Sequence, residues 1–320
     1  MGRRGKLLVL VAAALALAWG LGGWFVPGPL GKDAEFVVRS GDSFGTVVEN
    51  LSDAGAISSP LAFKLRARLL GGGAPIKAGT FLLPSGASQR TLVDILQGGR
   101  IIRRFVTVPE GMPSIMVAER LAAQPNLTGD VATPPEGSVL PDTYEIGMGE
   151  SRQAVVLRMQ AAMQRELKAL WVRRSPSTVA KSPEEALVLA SIVEKETGKP
   201  AERAMVAGLY SNRLRQGMML QADPTIIYPI TRGKPLGRRI RQSEIAAVNG
   251  YNTYSMVGLP EGPITNPGRA SIEAVLDPAP TDALYMVADG TGGHAFAATL
   301  EEHNRNVAKW FALRRARGEL

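Results

Sequence analysis

The sequence predicts an α+β protein in three parts: an N-terminal transmembrane helix, a small strand-and-helix module and a larger mixed α/β domain. Three observations carry that expectation. Leu7–Val26 holds no charged residue. From Glu35 onward, short apolar runs alternate with segments whose apolar residues recur at helical spacing. Glycine and proline, 35 and 22 of the 320 residues, cut those segments into short elements.

Composition narrows the chemistry. The chain has no cysteine, which excludes a disulfide scaffold, a Cys-ligated zinc or iron–sulfur site and thiol catalysis. It has two histidines, too few for a histidine metal cage, and no cofactor is expected. At 45% hydrophobic and 21% charged it has the composition of a folded chain. A net charge of +8 suits an anionic partner.

Arg3, Arg4 and Lys6 precede the Leu7–Val26 run. A helix of that length spans roughly 30 Å, a bilayer's hydrocarbon core, and flanking basic residues predict a cytoplasmic N-terminus. Trp24 and Phe25 are then expected at the far interface, with Pro27-Gly28-Pro29 ending the helix. Residues 1–31 are read as tail and single-pass anchor in the cytoplasmic membrane. A cleaved signal peptide, with Ala16-Leu17-Ala18 as cleavage site, is the competing reading. Both export the remainder, which argues against nucleic acid as ligand.

Residues 35–100 read as the small module. Phe36-Val37-Val38 is a strand, Ser40-Gly41-Asp42-Ser43 a turn, and Phe44, Val47, Val48 and Leu51 mark a helix. A second helix runs from Pro60 to Leu70, a strand surrounds Thr80-Phe81-Leu82, and Ser88 caps a third helix. The opening Val38-Arg39-Ser40-Gly41-Asp42-Ser43-Phe44 resembles that of LysM-type carbohydrate-binding modules.

Residues 101–320 form the larger domain. Ile101–Val108 is a strand, Ser114–Ala123 a helix and Ser151–Arg174 a long amphipathic helix. Ser182-Pro183-Glu184-Glu185 is a strong helix start, with serine as N-cap and Glu185 placed to close a capping box. The helix that follows is apolar almost all round and should be buried. Two acids, Glu194 and Glu196, interrupt its C-terminal end and point roughly 160° apart. Glu196 lies nearer the bulkier apolar stripe, where burial and the helix C-terminus both disfavour a carboxylate anion. A carboxyl group protonated near neutral pH is what a general acid requires. Pairing of either acid with Lys195 or Arg203 stays open at this level.

Polar residues follow. Asn212 lies on the next helix. Gln221 and Asp223, if the chain is extended there, share one face. Tyr251, Asn252 and Tyr254 precede an irregular wall rich in proline and glycine up to Gly268, and Leu284–Ala288 is a strand leading to His294. Aromatic faces and amides interleaved with glycine suit sugar recognition. His294 and His303 lack a third ligand for a metal.

Several short motifs in order resemble the YceG-like family of endolytic murein transglycosylases: Ala190-Ser191-Ile192-Val193-Glu194-Lys195-Glu196-Thr197, Asn212-Arg213-Leu214, Leu220-Gln221-Ala222-Asp223-Pro224-Thr225, Tyr251-Asn252-Thr253-Tyr254, Gly258-Leu259-Pro260 and Gly293-His294-Ala295-Phe296. The resemblance implies Glu196 as the catalytic acid. It also implies non-hydrolytic cleavage between N-acetylmuramic acid and N-acetylglucosamine in peptidoglycan strands, giving 1,6-anhydro ends and terminating nascent strands beside cell-wall synthases. Asn212, Gln221, Asp223, Tyr251, Asn252, Tyr254 and His294 are the candidate substrate contacts. A muramidase-type hydrolase using Asp223, or a non-catalytic wall-binding scaffold, remains open from the residues themselves.

Overall fold

The computed structural model describes residues 10–12, 15, 18, 20 and 22–319. It is mixed helix and sheet, but the expected transmembrane helix is not part of it. Among the described residues no helix is long and apolar enough to cross a membrane. Much of Leu7–Val26 lies outside the described residues. Its far end behaves differently from an interfacial anchor: Trp24 is 3% exposed and joins an apolar core with Phe63 and Leu92. A large indole gains more from a packed core than from a half-wet interface.

The chain divides into two compact units. The first extends to Arg104 and takes in Glu145–Met148. Its elements are β1 (Ala34–Val38), α1 (Phe44–Asp53), α2 (Pro60–Leu70), β2 (Gly79–Leu83) and α3 (Gln89–Gly98). All three helices start at a serine whose hydroxyl accepts a backbone N–H, from Thr46, Ala62 and Thr91 respectively. β1 and β2 pair antiparallel with Phe36 opposite Phe81. Val47, Val48 and Leu51 of α1 meet Leu92, Val93 and Leu96 of α3 in the core. Between β1 and α1, Gly41 has φ +90°, and Asp42 closes the turn by accepting the Arg39 N–H at 2.8 Å.

The second unit holds Phe105–Tyr144 and everything from Gly149 onward. β3 (Arg104–Thr107) and β5 (Thr143–Ile146) straddle the division in sequence; the unit's own elements begin with α4 (Ser114–Ala122), β4 (Leu127–Thr128), β6 (Glu150–Ser151) and α5 (Arg152–Val172). Then follow α6 (Pro183–Glu196), a 3₁₀ turn over Pro200–Glu202, α7 (Arg203–Arg215), α8 (Asp223–Thr231), α9 (Gln242–Ile245) and α10 (Arg269–Leu276). The hairpin β7 (Tyr285–Ala288) and β8 (His294–Ala297) and the helix α11 (Leu300–Ala316) complete it.

α6 is the centre of this unit. Ala186, Leu189, Ala190, Ile192 and Val193 are fully buried. They pack in one cluster with Val206, Leu209 and Tyr210 of α7, Ile272 and Val275 of α10, and Met163 and Leu170 of α5. Each large aliphatic side chain buried there contributes about 1.5–3 kcal/mol. α7 comes so close to the 279–281 segment that a side chain at Gly208 would lie 2.6 Å from the Ala279 carbonyl.

The irregular wall is held by two buried polar residues. Ser191 accepts the Ile264 N–H at 3.0 Å and donates to the Val188 carbonyl at 2.7 Å. The Asn266 amide donates to the Met112 carbonyl and to Ser114, and accepts the Val139 N–H, all within 3.0 Å. Such satisfied networks fix loop conformation without secondary structure.

Candidate active site

The two acids at the end of α6 separate as the helical wheel requires. The Glu194 side chain is 7% exposed. Its Oε2 accepts the Gly268 N–H at 2.9 Å and the Ser271 hydroxyl at 2.7 Å, and Arg203 lies 3.8 Å away. Glu194 therefore holds the start of α10, where a carboxylate satisfies free N–H groups and complements the helix dipole.

Glu196, the last residue of α6, turns instead into a cleft of about 240 Å³. Tyr210 and Arg213 of α7, Gln221, Asp223, Tyr254, His294 and the strand residues Met286–Ala288 line it with Glu196. Burial, and then the charge of Asp223, push the Glu196 carboxyl up to about 7. Larger hollows exist, one of about 740 Å³ in the first unit and one of about 820 Å³ near the start of α6. Neither brings a buried carboxyl against a second acid, so chemistry and not size selects the smaller cleft.

Asp223 sits at the first position of α8, where its charge favours the helix start. Its Oδ1 accepts the Tyr254 hydroxyl at 2.6 Å. Burial and that hydrogen bond hold the Tyr254 phenol well above its ordinary value. The preceding segment is not extended. Gln221 has φ +52°, a left-handed conformation that costs a non-glycine residue roughly 1 kcal/mol or more. The turn is held by zipping to the 252–254 segment. The Gln221 N–H donates to the Thr253 carbonyl at 3.1 Å, and the Ala222 N–H to the Thr253 hydroxyl at 3.0 Å. Thr225 and Thr253 hydroxyls meet at 2.8 Å.

Arg213 knits the cleft's floor. Its Nε donates to the Leu284 carbonyl at 2.6 Å, and one terminal nitrogen donates to the carbonyls of Met219 and Leu220 at 3.1 and 2.8 Å. The Tyr285 ring lies 5.5 Å from the guanidinium. A cation that donates to three backbone carbonyls orders the loop.

Of the candidate contacts, Gln221, Asp223, Tyr254 and His294 share the cleft with Glu196. Asn212 lies elsewhere: its amide donates to the carbonyls of Thr281 and Ala283 at 2.7 and 3.1 Å, tying α7 to the approach to β7. Asn252 is fully buried and donates to the carbonyls of Ile245 and Ala247. Tyr251 packs against Tyr228 with ring centroids 4.8 Å apart. Those three residues shape the loops behind the cleft.

A YceG-like family model matches residues 36–309. The chain belongs to the YceG-like family. Over 91% of its length, and 91% of the relative's, it is 28% identical to the endolytic murein transglycosylase of Bacillus subtilis. It is 36% identical over 182 residues to the endolytic murein transglycosylase of Streptococcus pneumoniae, a match covering 54% of this chain and 32% of that protein. A crystal structure of a yceG-like protein of Listeria monocytogenes superposes with a TM-score of 0.54 at 25% identity, over 86% of this chain and 98% of that one.

On this YceG-like fold, sequence reasoning passes over Tyr210 and the structural role of Arg213. The readable signal is helical spacing: Tyr210 and Arg213 are three apart and share a face of α7, while Asn212 is turned away.

Proposed function

We propose that this protein is a peptidoglycan lytic transglycosylase. It would cut the bond between N-acetylmuramic acid and N-acetylglucosamine inside glycan strands and leave 1,6-anhydro ends. The observation that carries this reading is the buried acid Glu196, which lines a polar cleft beside Asp223 and is poised near neutrality. The relatives' names, endolytic murein transglycosylase, support it.

One carboxyl group suffices if the substrate supplies the nucleophile. Protonated Glu196 gives its proton to the glycosidic oxygen as the C1–O bond breaks. The resulting carboxylate takes the proton of the muramoyl 6-hydroxyl, whose oxygen bonds to C1. Glu196 ends protonated, and no water is consumed. The Asp223 carboxylate, steadied by Tyr254, would offset positive charge developing at C1.

Asp223 also supports a second reading. A carboxylate in the same cleft could serve a water and give muramidase-type hydrolysis. Mass spectrometry of products from purified strands separates the two. Anhydro ends, lighter by one water, that disappear with Glu196→Gln are expected. Reducing ends would replace this reading by hydrolysis, and binding without any cleavage would favour a scaffold.

The substrate puts this work outside the cytoplasm, where cutting new strands beside cell-wall synthases would set their length. The first unit would hold the glycan. Its hollow of about 740 Å³ is lined by Arg39, Asp42, Phe44, Lys64 and Gln97, and Phe44 is 42% exposed. An exposed aromatic face among hydrogen-bonding side chains suits a sugar ring, in keeping with the LysM-like opening of that unit.

A further inference from the structure

His294 lines the cleft beside Glu196 but is not free to turn. Its Nδ1 lies 2.9 Å from Oε2 of Glu202, and its backbone N–H donates to the same carboxylate, 3.1 Å from Oε2 and 3.2 Å from Oε1. Both side chains are 17% exposed. Glu202 itself does not line the cleft. It closes the 3₁₀ turn that follows Glu196, so one stretch of chain carries both the acid and the group that grips the histidine.

The grip has a second point. Lys199, in the same stretch, donates to the Thr291 hydroxyl at 2.5 Å and lies 3.7 Å from Asp289. Asp289 accepts the Thr291 N–H at 2.7 Å and shapes the tip of the β7–β8 hairpin. Gly293 passes so near that a side chain there would lie 2.1 Å from Oε1 of Glu202. Lys199 and Glu202 thus clamp residues 289–294 against the segment downstream of the acid.

A carboxylate accepts hydrogen bonds and donates none, so the Nδ1 facing it must carry a proton. That leaves Nε2 as the ring's one remaining polar atom, on a residue that lines the cleft. We propose that Glu202 is a positioning residue of this site: it fixes the tautomer and orientation of His294 so that Nε2 hydrogen-bonds a hydroxyl of the sugar held against Glu196. A hydroxyl both donates and accepts, so it matches Nε2 in either protonation state. This rests on the glycan-cleaving reading above.

The prediction concerns binding and tautomer together. With strands as substrate, Glu202→Ala and His294→Ala should each raise KM about tenfold, the scale of one hydrogen bond, and lower kcat less. The double variant should match His294→Ala, because Glu202 acts through the ring. Glu202→Gln keeps an oxygen acceptor and should recover most of the loss. The protein's two histidines make ¹⁵N-histidine spectra readable, with His294→Gln assigning the peaks. In spectra of the neutral ring, His294 should carry its proton on Nδ1 in the wild type and become a mixture in Glu202→Ala. An unchanged tautomer in Glu202→Ala, or additive losses in the double variant, would overturn the proposal. Should the wild type cleave no glycan, the functional reading fails. The spectra, with binding of an N-acetylglucosamine oligomer, still decide the role of Glu202.

Discussion

At the residue scale, what distinguishes Glu196 from Glu194 is not chemistry but partners. Glu194 meets two hydrogen-bond donors and an arginine. Glu196 meets burial and another acid, and is raised to about 7. The catalytic reading needs Glu196 protonated, so kcat/KM should fall as pH passes about 7. The Asp223 charge contributes to the rise, so Asp223→Asn should move that alkaline limb to lower pH. A limb that stays in place in a pH–rate profile would contradict this. The same shift bears on stability. The folded value lies above the ordinary 4.5, so the folded state is relatively favoured at low pH and loses stability as pH rises through about 7. At about 1.4 kcal/mol per unit, the loss is on the order of 3 kcal/mol. Glu196→Gln cannot ionise. It should unfold at higher urea than the wild type at about pH 8, and at equal urea below about pH 4, where both forms are neutral.

At the element scale, α6 is legible because its start and its pattern agree. Ser182 accepts the Glu185 N–H at 3.2 Å, although the Glu185 side chain reaches the Lys181 N–H instead of closing the expected box. α8 is not legible. Thr225, Ile226 and Ile227 are β-branched and so weak helix formers, and Pro229 removes a donor inside the helix. Burial of Thr225 and Ile226, with the Thr225–Thr253 hydrogen bond, overrides that local preference. The start of α10 depends on a distant residue: Gly268, its N-cap, has no side-chain oxygen, and Glu194 supplies one. Glu194→Ala should therefore destabilise the protein by about 1.5–3 kcal/mol, the value of charge-assisted hydrogen bonds, measured by urea unfolding. An effect on kcat without loss of stability would instead give Glu194 a direct part in the chemistry.

At the scale of the whole molecule, the cleft that brings Glu196 beside Asp223 and the hollow with an exposed aromatic lie on different units. If the second hollow holds glycan, Phe44→Ala should weaken binding to insoluble peptidoglycan several-fold in pull-down. Turnover of short soluble glycan should be unchanged. Equal binding by the variant would remove that unit from substrate recognition. The early apolar run shows how a local pattern misleads at this scale. Its lack of charge reads as a membrane span, yet Trp24 is buried against the first unit's core.

By itself the sequence determines the α+β class, the central buried helix, its two acids and the order of the motifs around them. Those features depend on residues close in the chain: caps, apolar period and turn chemistry. Tertiary structure decides which acid is free, that Asn212, Tyr251 and Asn252 serve the loops, and that Tyr210 and Arg213 join the cleft. It also sets Glu202 against His294, 92 positions apart. Such choices follow from which donors and acceptors meet across the fold, and a hydrogen bond between distant segments leaves no period in the sequence.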